Sequence, residues 1–160
     1  MDCGLGTPLN PAQLVAVLAA QPTGEAALSA AVLQAIGWHW EPLGCPGNGL
    51  WHTPKDSIHI GPLPPVTETA EAARALLPEH VFVAASRSPS GLWTVELFAH
   101  PLLAEADHRD PIVSASGRTL ALALCSATIQ LNGGEQTHRR SCHMGLGRSF
   151  RSAYHPDDDT

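Results

Sequence analysis

The sequence predicts an α+β fold: a layered α/β sandwich in which a small, mostly antiparallel sheet is covered by helices. Three observations predict it. Leu28, Val32, Ala35 and Ile36 fall at i, i+4, i+7 and i+8, which makes one apolar helical stripe. Val81 to Ser86 and Leu92 to Ala99 flank Ser88-Pro89-Ser90-Gly91, a turn sequence that joins two antiparallel strands. Thr119 to Leu131 is apolar almost all round, and a helix of that kind needs burial on more than one face, so it is placed centrally.

The remaining elements follow from local chemistry. Asn10-Pro11 reads as an N-cap with proline at the first helical position, and Leu14, Val15, Val17 and Leu18 continue that helix until Pro22. Thr23 is the expected cap of the second helix, and Gly37 closes it. From Trp38 to Pro65 the chain is rich in Gly, Pro and aromatic residues. Within it, Gly49 to Thr53 and Ser57 to Ile60 are short candidate strands across a Pro54-Lys55-Asp56 turn. Thr67 is the expected cap of a third helix running to about Leu77, with Ala70, Ala73, Leu76 and Leu77 inward and Pro78 as its stop. On the strand after the hairpin, Trp93, Val95, Leu97 and Ala99 share one face. His100 to Pro111 reads as loop, and Ile112 to Ala115 as a further strand. Asn132-Gly133-Gly134 is the expected end of the last helix. On this reading residues 1–134 form a single domain and 135–160 a flexible C-terminal tail, with no internal repeat.

Composition narrows the function classes. The 160 residues are 44% hydrophobic and 15% charged, as in a globular protein able to bury a core without staples. No run approaches the roughly 18 apolar residues of a membrane span. The start, Met1-Asp2-Cys3-Gly4, carries neither a positive region nor an apolar one, so a cytoplasmic location is expected. Cys3, Cys45, Cys125 and Cys142 lie far apart, which fits reduced thiols, and Cys125 falls inside the last apolar helix as a small hydrophobe. Up to Glu135 twelve acidic side chains oppose five basic ones; beyond it four arginines face three aspartates. An acidic body argues against nucleic acid as partner, because affinity for phosphate backbones is built from Lys and Arg contacts.

His39, Cys45, His52 and His59 are suitable zinc-ligand types, but their spacing is too long and irregular for a zinc knuckle. His138, Cys142 and His143 form a second grouping in the tail. Asp107-His108-Arg109-Asp110 contains the triplet of a kinase catalytic loop without the glycine-rich loop, strand lysine or Asp-Phe-Gly that chemistry requires. Gly145-Leu146-Gly147 lacks the strand and helix of a dinucleotide site, and no Gly-x-Ser-x-Gly is present. Glu96 is the one acid inside the two expected hairpin strands, where a solvated face explains it. No catalytic residues, metal or cofactor are therefore assigned.

Two groups suit a ligand. Ser116, Gly117, Arg118 and Thr119 lie at a helix start, where free N–H groups and the macrodipole favour an anion, and Arg118 can hold a phosphate at two points. Trp38, Trp51 and Trp93, with Trp40, could stack on a base, although such residues also pack where helix meets sheet.

The order of these pieces resembles the phage ABA sandwich domain family, small proteins of bacteriophages and prophages whose fold layers helices on a sheet. The matching pieces are Leu33-Gln34-Ala35-Ile36-Gly37-Trp38, then Pro64-Pro65-Val66-Thr67-Glu68-Thr69-Ala70-Glu71-Ala72-Ala73, then the hairpin strand bearing Trp93. Thr119-Leu120-Ala121-Leu122-Ala123-Leu124-Cys125 completes them. Their order and spacing carry the resemblance, which covers roughly residues 25 to 132. The chain departs from it at Val66, where a tyrosine or serine is common, and at Gly117-Arg118, where a Thr-Pro turn is common. The resemblance implies a phage or prophage origin and brings no catalytic residues. In that context the expectation is a non-enzymatic accessory protein that antagonises a bacterial defence system by sequestering a small anionic nucleotide signal, in a pocket shared within a homo-oligomer. The alternatives are a protein–protein inhibitor of a host defence effector, which requires an exposed apolar patch with aromatics, and a zinc-dependent enzyme using His39, His52 and His59.

Overall fold

The computed structural model describes residues 9–44, 49–99 and 111–143, with side chains placed as far as Gly133. The order is α1 (Pro11–Ala20), α2 (Ala26–Ala35), β1 (His39–Pro42), β2 (Gly49–His52), β3 (Ile58–His59), α3 (Ala70–Arg74), β4 (Phe82–Arg87), β5 (Trp93–Phe98), β6 (Val113–Gly117) and α4 (Leu120–His143). These form an α+β fold with two three-stranded antiparallel sheets, β1-β2-β3 and β4-β5-β6. No helix among the described residues is long and apolar enough to cross a membrane.

The caps explain where the first helices begin and end. Asn10 and Gln13 exchange hydrogen bonds, Gln13 N–H to Asn10 Oδ1 at 2.8 Å and Asn10 N–H to Gln13 Oε1 at 3.1 Å, which is a complete capping box. At the end of α2, Gly37 takes φ +99°. Its N–H bonds to the Gln34 carbonyl, and the Trp38 N–H to that of Leu33, so orphan carbonyls are closed by a Schellman motif.

Thr23 does not cap α2. Glu25 occupies the N-cap position without a side-chain bond, and Thr67 supplies the hydroxyl instead: Oγ1 accepts from Glu25 N–H at 3.1 Å. That recruitment also displaces the start of α3. Thr67 is fully buried, Thr69 is the cap that accepts from Ala72 N–H, and the helix is only Ala70–Arg74.

The larger sheet has two unlike faces, set by register. Val83, Leu97 and Val113 align across the strands, as do Ala85, Val95 and Ala115, and Arg87, Trp93 and Gly117; these rows face the helices. Ala84, Glu96 and Ser114, and Ser86, Thr94 and Ser116, make the polar outer face. Helix α4 lies on the inner face, in contact with β5 and β6, and meets α1, α2 and α3 on its other sides. Ala121 to Ile129 are consequently buried without interruption, as the all-round apolar run requires.

The last helix does not stop at Asn132-Gly133-Gly134. Asn132 Nδ2 donates to the Thr128 carbonyl at 3.1 Å, a bond within the helix rather than a cap, and helical backbone continues to His143. Residues 135–143 thus continue α4.

Candidate functional site

The segment Ser116-Gly117-Arg118-Thr119 is split by strand alternation. Ser116 pairs with Thr94 on the outer face, whereas Gly117 pairs with Trp93 and faces the helices. A Cβ at Gly117 would meet the Ala123 nitrogen at 2.7 Å and the Leu122 side chain at 3.1 Å, so the first turn of α4 fills the space this glycine leaves. Thr119 Oγ1 accepts from Leu122 N–H at 3.2 Å and is committed as a cap. Arg118 is exposed, with no hydrogen bond or ion pair to another of the described residues. The four residues therefore adjoin in the chain without converging on one point.

The tryptophans are divided as well. Trp38 and Trp93 pack against the hydrophobic core, and the Arg87 guanidinium lies over Trp93, 5.8 Å from the ring centroid. Trp51 belongs to the smaller sheet, whose strand β1 is not among the strands the sequence predicts. Its partners make β1 a strand: His39 opposite His52, Trp40 opposite Trp51, Glu41 opposite Leu50. The signal in the sequence is the alternation Trp38, Trp40, which puts both rings on one side.

This sheet is held by side-chain pairs across its strands. On one face the Trp40 and Trp51 centroids are 5.5 Å apart and tilted by 55°, and His59 beside Trp51 lies 5.3 Å from the Trp38 ring. On the other face the His39 and His52 rings stack at 4.7 Å, 7° from parallel. His52 Nε2 is 2.8 Å from Glu41 Oε2. The β2–β3 turn closes with Thr53 N–H to the Ser57 carbonyl at 2.8 Å, and Asp56 takes φ +56°.

The zinc grouping does not form there. His39 and His52 share one face and His59 lies on the other, where its Nε2 donates to the Pro62 carbonyl at 2.9 Å. Among the described residues no group of three or more His, Cys, Asp or Glu is placed to hold a metal ion. Cys45, Asp107 to Asp110 and Gly145 to Gly147 lie outside the described residues, as do the side chains of His138, Cys142 and His143. Glu96 sits half-exposed on the outer face of the larger sheet.

What distinguishes the smaller sheet is how little of it is buried. No described residue from His39 to Ile60 belongs to the hydrophobic core or packs against it. Leu43 and Ile58 are each 52% exposed and Ile60 is 91% exposed, while Leu50, Trp40 and Trp51 are half-buried. Elsewhere, a groove of about 350 Å³ lies between α3, β4 and the start of α4, floored by Val83, Leu120 and Leu124 with Glu71 and Arg74 lining it. Neither the Ser116–Thr119 segment nor any tryptophan lines it. Comparison with protein families, with curated proteins and with solved structures finds no match to this chain.

Proposed function

We propose that this protein acts by binding, without catalysis, and that the β1-β2-β3 sheet is the surface it presents to a protein partner. One observation carries the reading: ten strand residues with two tryptophans are folded into a sheet that contributes nothing to the core and leaves Leu43, Ile58 and Ile60 in water. A small sheet without a core behind it is marginal by itself, so its cross-strand ring pairs serve to hold a shape. Ile58, opposite His52, puts an exposed aliphatic side chain on the face of the stacked histidines, while Trp40 and Trp51 brace the sheet from its other face, and exposed apolar side chains on a shaped surface are the composition of a contact patch. The phage resemblance supports a host defence effector as the class of partner.

Lys55, the only lysine of the chain, stands in the β2–β3 turn and makes the proposal testable. An amine-reactive cross-linker applied to cells producing the full chain is expected to join a host polypeptide to Lys55. Replacing Ile58→Asp and Ile60→Asp together should abolish that product and leave helical circular dichroism unchanged. A cross-link retained at full yield by the double variant rejects this surface.

A second reading, sequestration of a small anionic nucleotide, is favoured by the position of Arg118. It is exposed just beyond Gly117, whose row also holds Trp93 and Arg87. Nucleotide released from purified protein on heating, and lost with Arg118→Ala, is the result this reading expects.

A further inference from the structure

We propose that β4 is a self-pairing edge: two copies of this chain join β4 to β4 antiparallel, about a two-fold axis at Ala85, and merge two three-stranded sheets into one. Among the described residues β4 is the outer strand of β4-β5-β6 and pairs only with β5, residue for residue from Phe82 to Arg87, with no bulge to twist the edge away. It carries no proline, and its one charge, Arg87 at the strand's end, has its guanidinium over the Trp93 ring, so Phe82 to Ser86 lack the devices by which edges are ordinarily kept apart.

The free hydrogen-bonding groups on this edge can be identified. Ser88 N–H bonds to the Leu92 carbonyl at 2.8 Å, which directs residue 88 toward β5. Alternation then directs Ser86, Ala84 and Phe82 toward β5 as well, and leaves N–H and C=O of Val83, Ala85 and Arg87 pointing off the sheet. An antiparallel copy centred on Ala85 sets Ala85 against Ala85 and Val83 against Arg87, so each of these groups finds its complement. The same register keeps the helix-covered faces on one side, because residues of like parity oppose each other. Only Ala and Ser side chains meet on the rows next to the axis, so the seam closes without a clash.

Two further features favour a second copy over another chain. Ala85 points toward the helices yet is exposed, and it lines the groove beside α3, so the inner surface at this edge is unfinished within one copy. Glu71 and Arg74 on that groove are both exposed and opposite in sign, so a second copy brings to the seam the same pair of complementary charges.

The test uses the fact that position 85 meets itself. Sedimentation of the full chain should give a dimer. Ala85→Lys and Ala85→Glu should each sediment as monomers with unchanged circular dichroism, since like charges then stand directly opposed. An equimolar mixture of the two should restore the dimer. A monomeric parent protein, single variants as dimeric as the parent, or a mixture that stays monomeric would each overturn the proposal; a groove built for a foreign peptide gives the first of these. Should either variant fail to fold, amide exchange of the parent decides. The amides of Val83, Ala85 and Arg87 must slow with rising protein concentration, and exchange independent of concentration rejects the pairing.

Discussion

Thr67 stands 42 residues along the chain from Glu25, yet its hydroxyl closes the start of α2. The bonds can be assigned by counting protons. Thr67 Oγ1 donates its one proton to the Glu25 carbonyl at 2.9 Å, so in the 2.7 Å contact with Ser29 Oγ it must accept. Ser29 Oγ in turn accepts from Thr67 N–H at 3.1 Å. Thr67→Val keeps the shape and leaves the partners of this buried network unsatisfied, so a loss of about 2–3 kcal/mol is expected by urea denaturation, while Thr67→Ser should lose under about 1 kcal/mol. Cys125 is the other buried group with a measurable signature. Its Sγ donates to the Val66 carbonyl at 3.2 Å, and burial pushes the thiol up from 9.0 to about 12. The folded state therefore holds this proton more tightly than the unfolded chain. The associated stability is complete below about pH 9 and drains away as pH rises toward 12. Subtracting the alkaline stability profile of Cys125→Ala from that of the parent should isolate this decline, and superimposable profiles would contradict it.

At the scale of elements, the smaller sheet depends on a close approach at Gly49. A Cβ there would run into the Trp40 ring and the Glu41 carbonyl, so Gly49→Ala should dislodge Trp40 and loosen β1 from β2. The expected result is a red shift of tryptophan emission while the main urea transition moves by less than about 0.5 kcal/mol, as for a change outside the core. The elements legible in the sequence were those written locally. The Asn10 cap, the Gly37 termination and the Ser88–Gly91 hairpin each depend on residues within a few positions of one another. Those misread depended on distant partners. Thr67 looks like a cap for the helix that follows it, and only the fold shows α2 taking its hydroxyl. β1 is a short run with a charge and a proline, and becomes a strand because β2 lies beside it. The Gly-Gly pair that should end α4 costs about 1 kcal/mol per glycine relative to alanine, a preference that tertiary context can override. The same limit applies to Ser116 to Thr119, which are neighbours in sequence while period-two alternation sends Ser116 and Gly117 to opposite faces.

For the whole molecule, the position of α4 implies two tiers of stability. Its residues Ala121 to Ile129 are walled by the larger sheet and by α1, α2 and α3, so none of their amides can reach water without dismantling the core. The β1-β2-β3 sheet has no such enclosure; its ladders are short and its rings pair chiefly with one another. Local opening there exposes little apolar surface that was buried, and hydrophobic stabilisation scales with that area. Leu122→Ala should therefore lower global stability by about 3–4 kcal/mol, as a large-to-small change at a fully buried site does. Ile60→Ala, at a side chain 91% exposed, should be close to neutral. Native-state hydrogen exchange under increasing urea separates the tiers directly. The amides that close β1-β2-β3 should exchange through openings that depend weakly on urea, while those of Ala121 to Ile129 merge with global unfolding. If both sets follow the global transition, the smaller sheet is part of the core's cooperative unit, and its exposed side chains lose their standing as a separate contact surface.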